Sequence, residues 1–105
     1  MYVVMTRVKL KPGTSEICAD LFQKTNPELV SSETDWLGAR MIFDNDTDVL
    51  TVLATWRDTD SYQRLRASAK FQSTMREFGQ HFASPPEISM NEVLVDMAAT
   101  SQSLF

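Results

Sequence analysis

The chain has 105 residues, 43% of them apolar, which is enough for the core of one domain and too short for a second. Its formal net charge of −4, its pI near 4.8 and the scattering of its basic residues exclude a surface built to neutralise nucleic-acid phosphates. A single cysteine, Cys18, excludes an internal disulfide or a multi-cysteine zinc site and is typical of a reducing compartment.

The N-terminal run MYVVMTRVKL predicts a strand over residues 2–10, because it is rich in Val and is followed by a turn at Pro12 and Gly13. The same run lacks the basic start and the long apolar stretch of a secretion signal. No other stretch approaches the roughly 18 apolar residues of a membrane span. We therefore expect a complete, cytoplasmic chain with no membrane partner.

The segment after this turn predicts a helix. Thr14 or Ser15 can cap it, and apolar residues recur at helical spacing over residues 17–22. Pro27 cannot continue an interior helical turn, because it has no amide hydrogen to donate. We expect the helix to be interrupted there, with Asn26 as a new cap and a short second piece beyond it.

The next two predicted strands, WLGARMIFD and VLTVLATW, flank the segment DNDTD. Asp44, Asp46 and Asp48 alternate as the first ligands of a calcium loop do. A loop of the EF-hand type also needs glycine at its sixth position and glutamate at its twelfth, where this chain has Val49 and Thr55. The segment is therefore predicted to be a hairpin turn, which Asp and Asn favour, rather than a metal site.

Helical periodicity returns from Asp58, which can cap a short helix carrying Tyr62 and Leu65. Ser68 can cap a longer helix with one apolar stripe at i, i+4, i+7 and i+11. The stripe consists of Phe71, Met75, Phe78 and Phe82.

A final strand is predicted over residues 88–97, ISMNEVLVDM, after two prolines have ended the helical region. The order strand, helix, strand, strand, helix, strand predicts an α+β fold, a ferredoxin-like βαββαβ plait with an antiparallel sheet. We expect a single domain over residues 1–98 and a loosely attached tail over residues 99–105.

Apolar side chains alternate onto both faces of the predicted sheet. In the first strand Val4 and Val8 point one way, and Val3 and Met5 point the other. In the second predicted strand, one face has Leu37, Ala39, Met41 and Phe43 and the other has Trp36 and Ile42. In the last predicted strand, one face has Ile88, Met90 and Leu94 and the other has Val93, Val95 and Met97. Helices cover one face only, and each large apolar side chain left in water forfeits roughly 1.5 to 3 kcal/mol. We therefore expect a homodimer that packs sheet against sheet.

Several short motifs together resemble the antibiotic biosynthesis monooxygenase domain family. They are VKLKPG before the first helix, VLATWRD at the end of the third strand, the SYQRL that follows, and ASAKF at the start of the next helix. The resemblance spans residues 2–97. It implies a dimeric α+β barrel made of two plaits. Members of the family include oxygenases that need neither metal nor flavin, haem-degrading enzymes, and proteins that process signal molecules.

The resemblance also implies site residues. The polyketide-oxidising members have a Trp at the end of the third strand, a Tyr six residues on and an Arg in the next helix, and this chain has Trp56, Tyr62 and Arg76 there. Those members also have an Asn four residues before the Trp, where this chain has Val52. A merely apolar binding pocket would not need that amide.

The haem-degrading members have an Asn on the first strand, a Trp in the short helix and a His ligand in the long helix. This chain has Thr6, Leu65 and Met75 at those positions, so the resemblance does not extend to haem degradation.

Each candidate residue has a functional and a structural interpretation. Trp56 and Tyr62 suit a planar aromatic substrate, and both residue types are also common packing anchors. Arg76 can stabilise an oxyanion or can lie in solvent. His81, the only histidine, can act as a catalytic base or can interact with the end of a helix.

Two further polar residues lie on predicted strands. Thr6 is the one polar member of an otherwise apolar strand face, so it either meets a ligand or bonds to nearby backbone. Arg40 shares a predicted face with Trp36 and Ile42, where it lines the pocket or pairs across the dimer. Cys18 lies beside helix positions that face the core, so its side chain is predicted to pack there rather than to react.

The predicted function is that of a monooxygenase that uses no cofactor and oxidises a small hydroquinone or polycyclic phenol with molecular oxygen. Tyr62, Arg76 and His81 are the predicted catalytic residues. The predicted substrate-binding residues are Trp56, Thr6, Arg40, Val52, Leu65 and Met75. The alternatives are a protein that binds a small apolar molecule without reacting it and a purely structural dimer.

Overall fold

The computed structural model describes residues 1–99 and contains a four-stranded antiparallel sheet with three helices packed on one face. The elements are β1 (Tyr2–Lys9), α1 (Ser15–Val30), β2 (Trp36–Asp44), β3 (Val49–Trp56), α2 (Thr59–Arg66), α3 (Ala69–Gly79) and β4 (Glu87–Glu92). The strand order is β2-β3-β1-β4. This arrangement confirms the predicted α+β ferredoxin-like plait. Among the described residues no helix is both long and apolar enough to cross a membrane.

The predicted caps of the last two helices are confirmed. Oδ1 of Asp58 accepts a 3.2 Å hydrogen bond from the amide of Ser61, and Oγ of Ser68 accepts one of 3.2 Å from the amide of Phe71. Thr14 precedes α1 but does not cap it through its side chain, because its hydroxyl donates to the carbonyl of Lys11 at 2.8 Å. The last two helices therefore have the stronger local start signals.

The predicted break in the first helix is wrong, since α1 runs through Pro27 to Val30. A proline at this position leaves the carbonyl of Gln23 without its helical donor. Both Pro27 and Gln23 are exposed, so water can satisfy that carbonyl. The continuous helix puts Asn26 inside α1, where it cannot cap a second piece.

The segment between β2 and β3 is a tight turn, as predicted. Oδ1 of Asp44 accepts a 2.9 Å hydrogen bond from the amide of Asp46, and Asp48 adopts a left-handed φ of 58°. These are the local conformations that Asp tolerates better than most residues. Within residues 1–99 no group of three or more His, Cys, Asp or Glu side chains is placed to hold a metal ion.

A bulge near the start of β2 changes which residues face the helices. Trp36 pairs with Trp56 and Gly38 with Thr55, so Leu37 is the extra residue and Gly38 takes a φ of 150°. Strict alternation predicted Trp36 and Ala39 on opposite faces. The extra residue brings both to the helix-covered face and leaves Leu37 exposed.

The last strand is shorter than predicted, because β4 ends at Glu92 rather than at residue 97. Leu94, Val95 and Met97 lie beyond it and are more than 70% exposed. The face of β4 that points away from the helices is polar, and it consists of Glu87, Ser89 and Asn91.

The uncovered face of the sheet is consequently less apolar than the sequence predicted. Its apolar centre is formed by Val3, Met5, Leu53 and Ile42 on three neighbouring strands.

The core beneath the helices is divided into two groups of buried side chains. The first, called the Trp56 cluster, consists of Val4, Val30, Trp56, Tyr62 and Leu65. The second, called the Phe78 cluster, consists of Val8, Leu10, Cys18, Leu50 and Phe78. Thr6 lies between Val4 and Val8 along β1. Thr6 is therefore a polar side chain between two apolar clusters.

Candidate functional site

A cavity of about 120 Å³ lies between the two clusters, with the sheet on one side and the helices on the other, and it is partly open to solvent. Its floor includes one continuous row of cross-strand partners, in which Met41 pairs with Val52, Val52 with Thr6, and Thr6 with Ile88. Directly paired residues of an antiparallel sheet point to the same face. Thr6 is thus the one polar side chain in the centre of an apolar floor.

The opposite wall comes from the helices. On α1 the cavity-facing residues include Phe22, Asn26 and Leu29, which follow each other at i, i+4 and i+7 on one helix face. On α3, Phe71 and Met75 do the same at i and i+4. The complete lining consists of Val4, Thr6, Val8, Phe22, Thr25, Asn26, Leu29, Val30, Trp36, Ala39, Met41, Leu50, Val52, Ala54, Trp56, Tyr62, Leu65, Phe71, Met75, Phe78, Phe82 and Ile88.

No charged side chain is present in this lining. An ion placed in such a wall would lose its hydration without gaining a counter-charge, which costs far more than burying a neutral polar group. An uncharged lining of this kind favours neutral molecules over carboxylates, phosphates and ammonium groups.

Trp56 and Tyr62 form the aromatic end of the cavity. Their ring centroids are 5.9 Å apart with a tilt of 60°, within the range of favourable edge-to-face packing. Trp56 is 2% exposed, and its Nε1 is a buried donor with no hydrogen-bond partner among the described residues. A buried donor without a partner costs about 1–3 kcal/mol, so an acceptor that reached Nε1 would recover free energy.

Tyr62 is a neutral hydrogen-bond donor at physiological pH. Burial raises the pKa of its phenol above the ordinary value, and the nearby charge of Arg66 opposes this only in part. Burial likewise raises the pKa of the Cys18 thiol, which lies in the Phe78 cluster. Neither residue is therefore a ready base or nucleophile near pH 7.

A hydrogen-bond network at the start of α2 holds the helix that carries Tyr62. The buried hydroxyl of Ser61 donates to Oδ2 of Asp35 at 2.8 Å and accepts from Nη2 of Arg64 at 3.1 Å. The backbone carbonyl of Asp35 also accepts a 2.7 Å hydrogen bond from the amide of Arg57. The carboxylate of Asp35 lies 3.8 Å from the guanidinium of Arg57. The loop before β2 is thereby tied to the helix that carries Tyr62.

Most of the residues singled out from the sequence meet in this cavity. Those that line it are Thr6, Val52, Trp56, Tyr62, Leu65 and Met75. They come from two strands and two helices, so the plait is what brings them together.

The other three predicted site residues do not line the cavity. Arg40 is exposed on the uncovered face of the sheet, where it pairs with Leu53, because the bulge at Leu37 separates its face from that of Trp36. Arg76 is exposed on α3, next to Met75 but on the solvent side of the helix. The predicted convergence of Arg76 with Trp56 and Tyr62 is therefore not found.

His81 follows the end of α3, and its backbone joins two segments. Its amide donates to the carbonyl of Phe78 at 2.9 Å, and its carbonyl accepts from the amide of Lys11 at 2.8 Å. The side chain is half-buried and lies outside the cavity lining. No imidazole therefore reaches the cavity.

Asn26 is the cavity residue that sequence reasoning missed, because the proline after it was interpreted as a helix break. Its neighbour Thr25 donates its hydroxyl to the carbonyl of Leu21 at 2.7 Å, as polar residues in helices often do. The side-chain amide of Asn26 has no hydrogen bond of this kind to a described residue. The signal was available, since Asn26 interrupts an apolar stripe that runs from Phe22 to Leu29 at helical spacing.

Comparison with protein families identifies one match. The family model described as antibiotic biosynthesis monooxygenase matches residues 1–77, which include β1 to α2 and most of α3. A comparison with curated protein sequences finds no match.

Solved structures share the fold at low sequence identity. SnoaB, a cofactor-independent oxygenase from Streptomyces nogalater, was solved as a mutant; it matches with a TM-score of 0.76 and 14% identity over 93% of this chain and 97% of its own. Rv0793 from Mycobacterium tuberculosis matches with a TM-score of 0.74 and 13% identity over 92% of this chain and 98% of its own. NE2512 from Nitrosomonas europaea, a protein of unknown function, matches with a TM-score of 0.72 and 19% identity over 95% of each chain. At these identities the likeness shows a common fold.

Proposed function

This chain belongs to the antibiotic biosynthesis monooxygenase family, and from that membership and the cavity we propose that it oxidises a small neutral phenol or hydroquinone with molecular oxygen. The observation that carries the proposal is the uncharged, largely apolar cavity with an aromatic end formed by Trp56 and Tyr62. A flat ring can pack against these side chains while its oxygens meet neutral donors in the wall.

The reaction needs no electrons from outside the substrate. For 1,4-dihydroxybenzene, the substrate anion transfers electrons to oxygen, and a bond forms between a ring carbon and one oxygen atom. The oxygen–oxygen bond then breaks with loss of the proton on that carbon. One oxygen atom stays on the ring as hydroxybenzoquinone, and the other leaves as water. All four electrons come from the ring.

The contribution of the protein is to stabilise the substrate oxyanion with fixed neutral donors. The phenol of Tyr62, the hydroxyl of Thr6 and the amide of Asn26 are the polar groups of the lining that have no hydrogen bond to another described residue. Prepositioned donors in a water-poor site act more strongly on a developing charge than water does. Because no carboxylate or imidazole lines the cavity, the substrate enters in its neutral form and gives its proton to solvent at the mouth of the cavity.

A second candidate function is binding of a small apolar molecule without reaction. The specific observation in its favour is Val52, which occupies the centre of the cavity floor and offers no hydrogen bond. The absence of an ionisable base from the lining points the same way. A binding protein needs only the shape and the apolar lining of the cavity.

Oxygen uptake measured with an electrode separates the two functions. With 1,4-dihydroxybenzene we expect uptake above the uncatalysed rate, with kcat/KM rising with pH as the substrate itself ionises and with no step near pH 6.5. His81→Ala should leave this profile unchanged. Uptake equal to background across pH 6–9, combined with ligand-dependent thermal stabilisation, would establish binding without reaction and reject oxidation.

We also propose that two copies pair through the uncovered face of the sheet. Its apolar centre of Val3, Met5, Leu53 and Ile42 lies in a single patch, and Ile42 is 48% exposed in one chain. Leu53→Glu should convert a sedimenting dimer to a monomer, whereas Thr47→Glu in the exposed turn should not. A wild-type chain that sediments as a monomer at micromolar concentration would reject this dimer.

A further inference from the structure

The size of the cavity restricts the substrate further than the family does. An enclosed apolar cavity of about 150 Å³ is known to bind one benzene ring, and sites for drug-sized ligands range from roughly 300 to 1,000 Å³. The cavity between the Trp56 and Phe78 clusters measures about 120 Å³. Its volume is therefore close to that of a site for one ring.

Two polar groups face this space from opposite walls. Thr6 lies in the middle of the sheet floor, flanked by its cross-strand partners Val52 and Ile88. Asn26 belongs to the helix wall, in the apolar stripe between Phe22 and Leu29. Both residues are half-buried, and neither side chain has a hydrogen bond to another described residue. Half-buried polar groups in an apolar wall ordinarily have a partner, which here is water or a bound molecule.

We propose that the cavity selects a neutral arene with a single ring and with hydroxyl groups, held between the amide of Asn26 and the hydroxyl of Thr6, and that it excludes fused-ring phenols. An amide and a hydroxyl can each donate to or accept from a phenolic oxygen, so the pair suits the neutral form of the ring and its anion. A molecule that lacks the oxygen displaces water from these half-buried groups without replacing its hydrogen bonds, and it therefore binds more weakly. This inference rests on the proposed function only in taking the cavity as the substrate site.

Met75 limits the space on the helix side, opposite the sheet floor. Its side chain is half-buried and lines the cavity from α3, one turn after Phe71. Truncation of a flexible methionine enlarges a cavity without introducing a polar atom. The Met75→Ala variant should therefore also bind a phenol with two fused rings.

The test is calorimetric titration under argon, where no oxidation occurs. The probes are 1,4-dihydroxybenzene, 1,4-dihydroxynaphthalene and toluene. We expect 1,4-dihydroxybenzene to bind at one site per chain and at least tenfold more tightly than the naphthalene compound. Asn26→Leu should weaken the binding of 1,4-dihydroxybenzene at least tenfold and leave the binding of toluene unchanged. The control Gln23→Leu, on the exposed side of the same helix, should change the binding of neither compound. Met75→Ala should bring the naphthalene compound within threefold of 1,4-dihydroxybenzene.

Equal or tighter binding of 1,4-dihydroxynaphthalene to the wild-type protein would overturn the inference, as would unchanged binding of 1,4-dihydroxybenzene to Asn26→Leu with a wild-type melting temperature. Failure of the proposed oxidation would look different. In that case the titrations would follow the expected order and oxygen uptake in air would stay at background. Conversely, rapid oxygen uptake with fused-ring substrates would support the proposed oxidation and reject the proposed limit to one ring.

Discussion

The hydroxyl of Ser61 donates a 2.8 Å hydrogen bond to Oδ2 of Asp35, which links the start of α2 to the loop before β2. Ser61 is 1% exposed and is followed directly by Tyr62, whose ring packs on Trp56. The bond therefore contributes to holding the aromatic end of the cavity in place. It is a structural contact with a direct consequence for the site.

Ser61→Ala should destabilise the protein by about 1–2 kcal/mol, because it removes a buried donor to a carboxylate and leaves Arg64 without one acceptor. Urea unfolding measures this change. Ser73→Ala is a suitable control, since Ser73 is exposed on α3. We also expect weaker binding of 1,4-dihydroxybenzene to Ser61→Ala alone. Equal unfolding midpoints for the two variants would show that the contact is unimportant.

Tyr62→Phe should separate function from stability. The phenol oxygen has no hydrogen-bond partner among the described residues, so its removal should change the free energy of unfolding by less than about 0.5 kcal/mol. Oxygen uptake with 1,4-dihydroxybenzene should fall at least tenfold, because one donor to the substrate oxyanion is lost. A variant with wild-type turnover would remove Tyr62 from the proposed mechanism.

The buried phenol of Tyr62 should also make the fold sensitive to alkali. Its pKa is raised by burial, so the folded state favours the neutral form. This contribution to stability is complete below about pH 10, where the unfolded chain is also neutral, and is lost as the pH rises through the folded-state pKa. Between pH 8 and pH 11 the wild type should therefore lose more unfolding free energy in urea titrations than Tyr62→Phe. Parallel losses in both proteins would contradict the assignment.

Val52→Asn would supply the amide that the resemblance places at this position. The side chain would lie in the cavity floor beside Thr6 and Met41. We expect oxygen uptake to rise several-fold, at a cost of about 1–3 kcal/mol in stability from a polar group in an apolar wall. Val52→Thr has nearly the shape of valine and serves as the control. Unchanged or lower uptake in Val52→Asn, with the variant still folded, would argue for the binding function instead.

Local sequence signals were sufficient for most of the fold. Alternation located β1, β2 and β3, and the caps at Asp58 and Ser68 located the two later helices within a residue. Errors arose where tertiary context overrides a local rule. Pro27 is tolerated inside α1 because Gln23, whose carbonyl loses its helical donor, is exposed, so water can satisfy that carbonyl. The bulge at Leu37 shifts one strand by a residue.

The site was less predictable than the fold. Sequence position identifies Thr6, Trp56 and Tyr62 because strands and helices are regular, but it does not give the direction in which a long polar side chain points. Arg76 follows Met75 directly, and the turn of about 100° per helical residue directs it to solvent while Met75 lines the cavity. The length of β4 was also not predictable, since its apolar residues continue beyond the last sheet pairing at Glu92.

The central claim is that the cavity itself is the binding site, and a variant that fills it tests this most directly. Ala54 lines the cavity from β3, next to the Trp56 cluster, and Ala54→Leu adds apolar volume without charge. Calorimetric titration of this variant with 1,4-dihydroxybenzene under argon, with its melting temperature measured in parallel, should show a stable fold and no detectable binding. Binding of wild-type strength by the folded variant would contradict the account, because the ligand would then lie elsewhere.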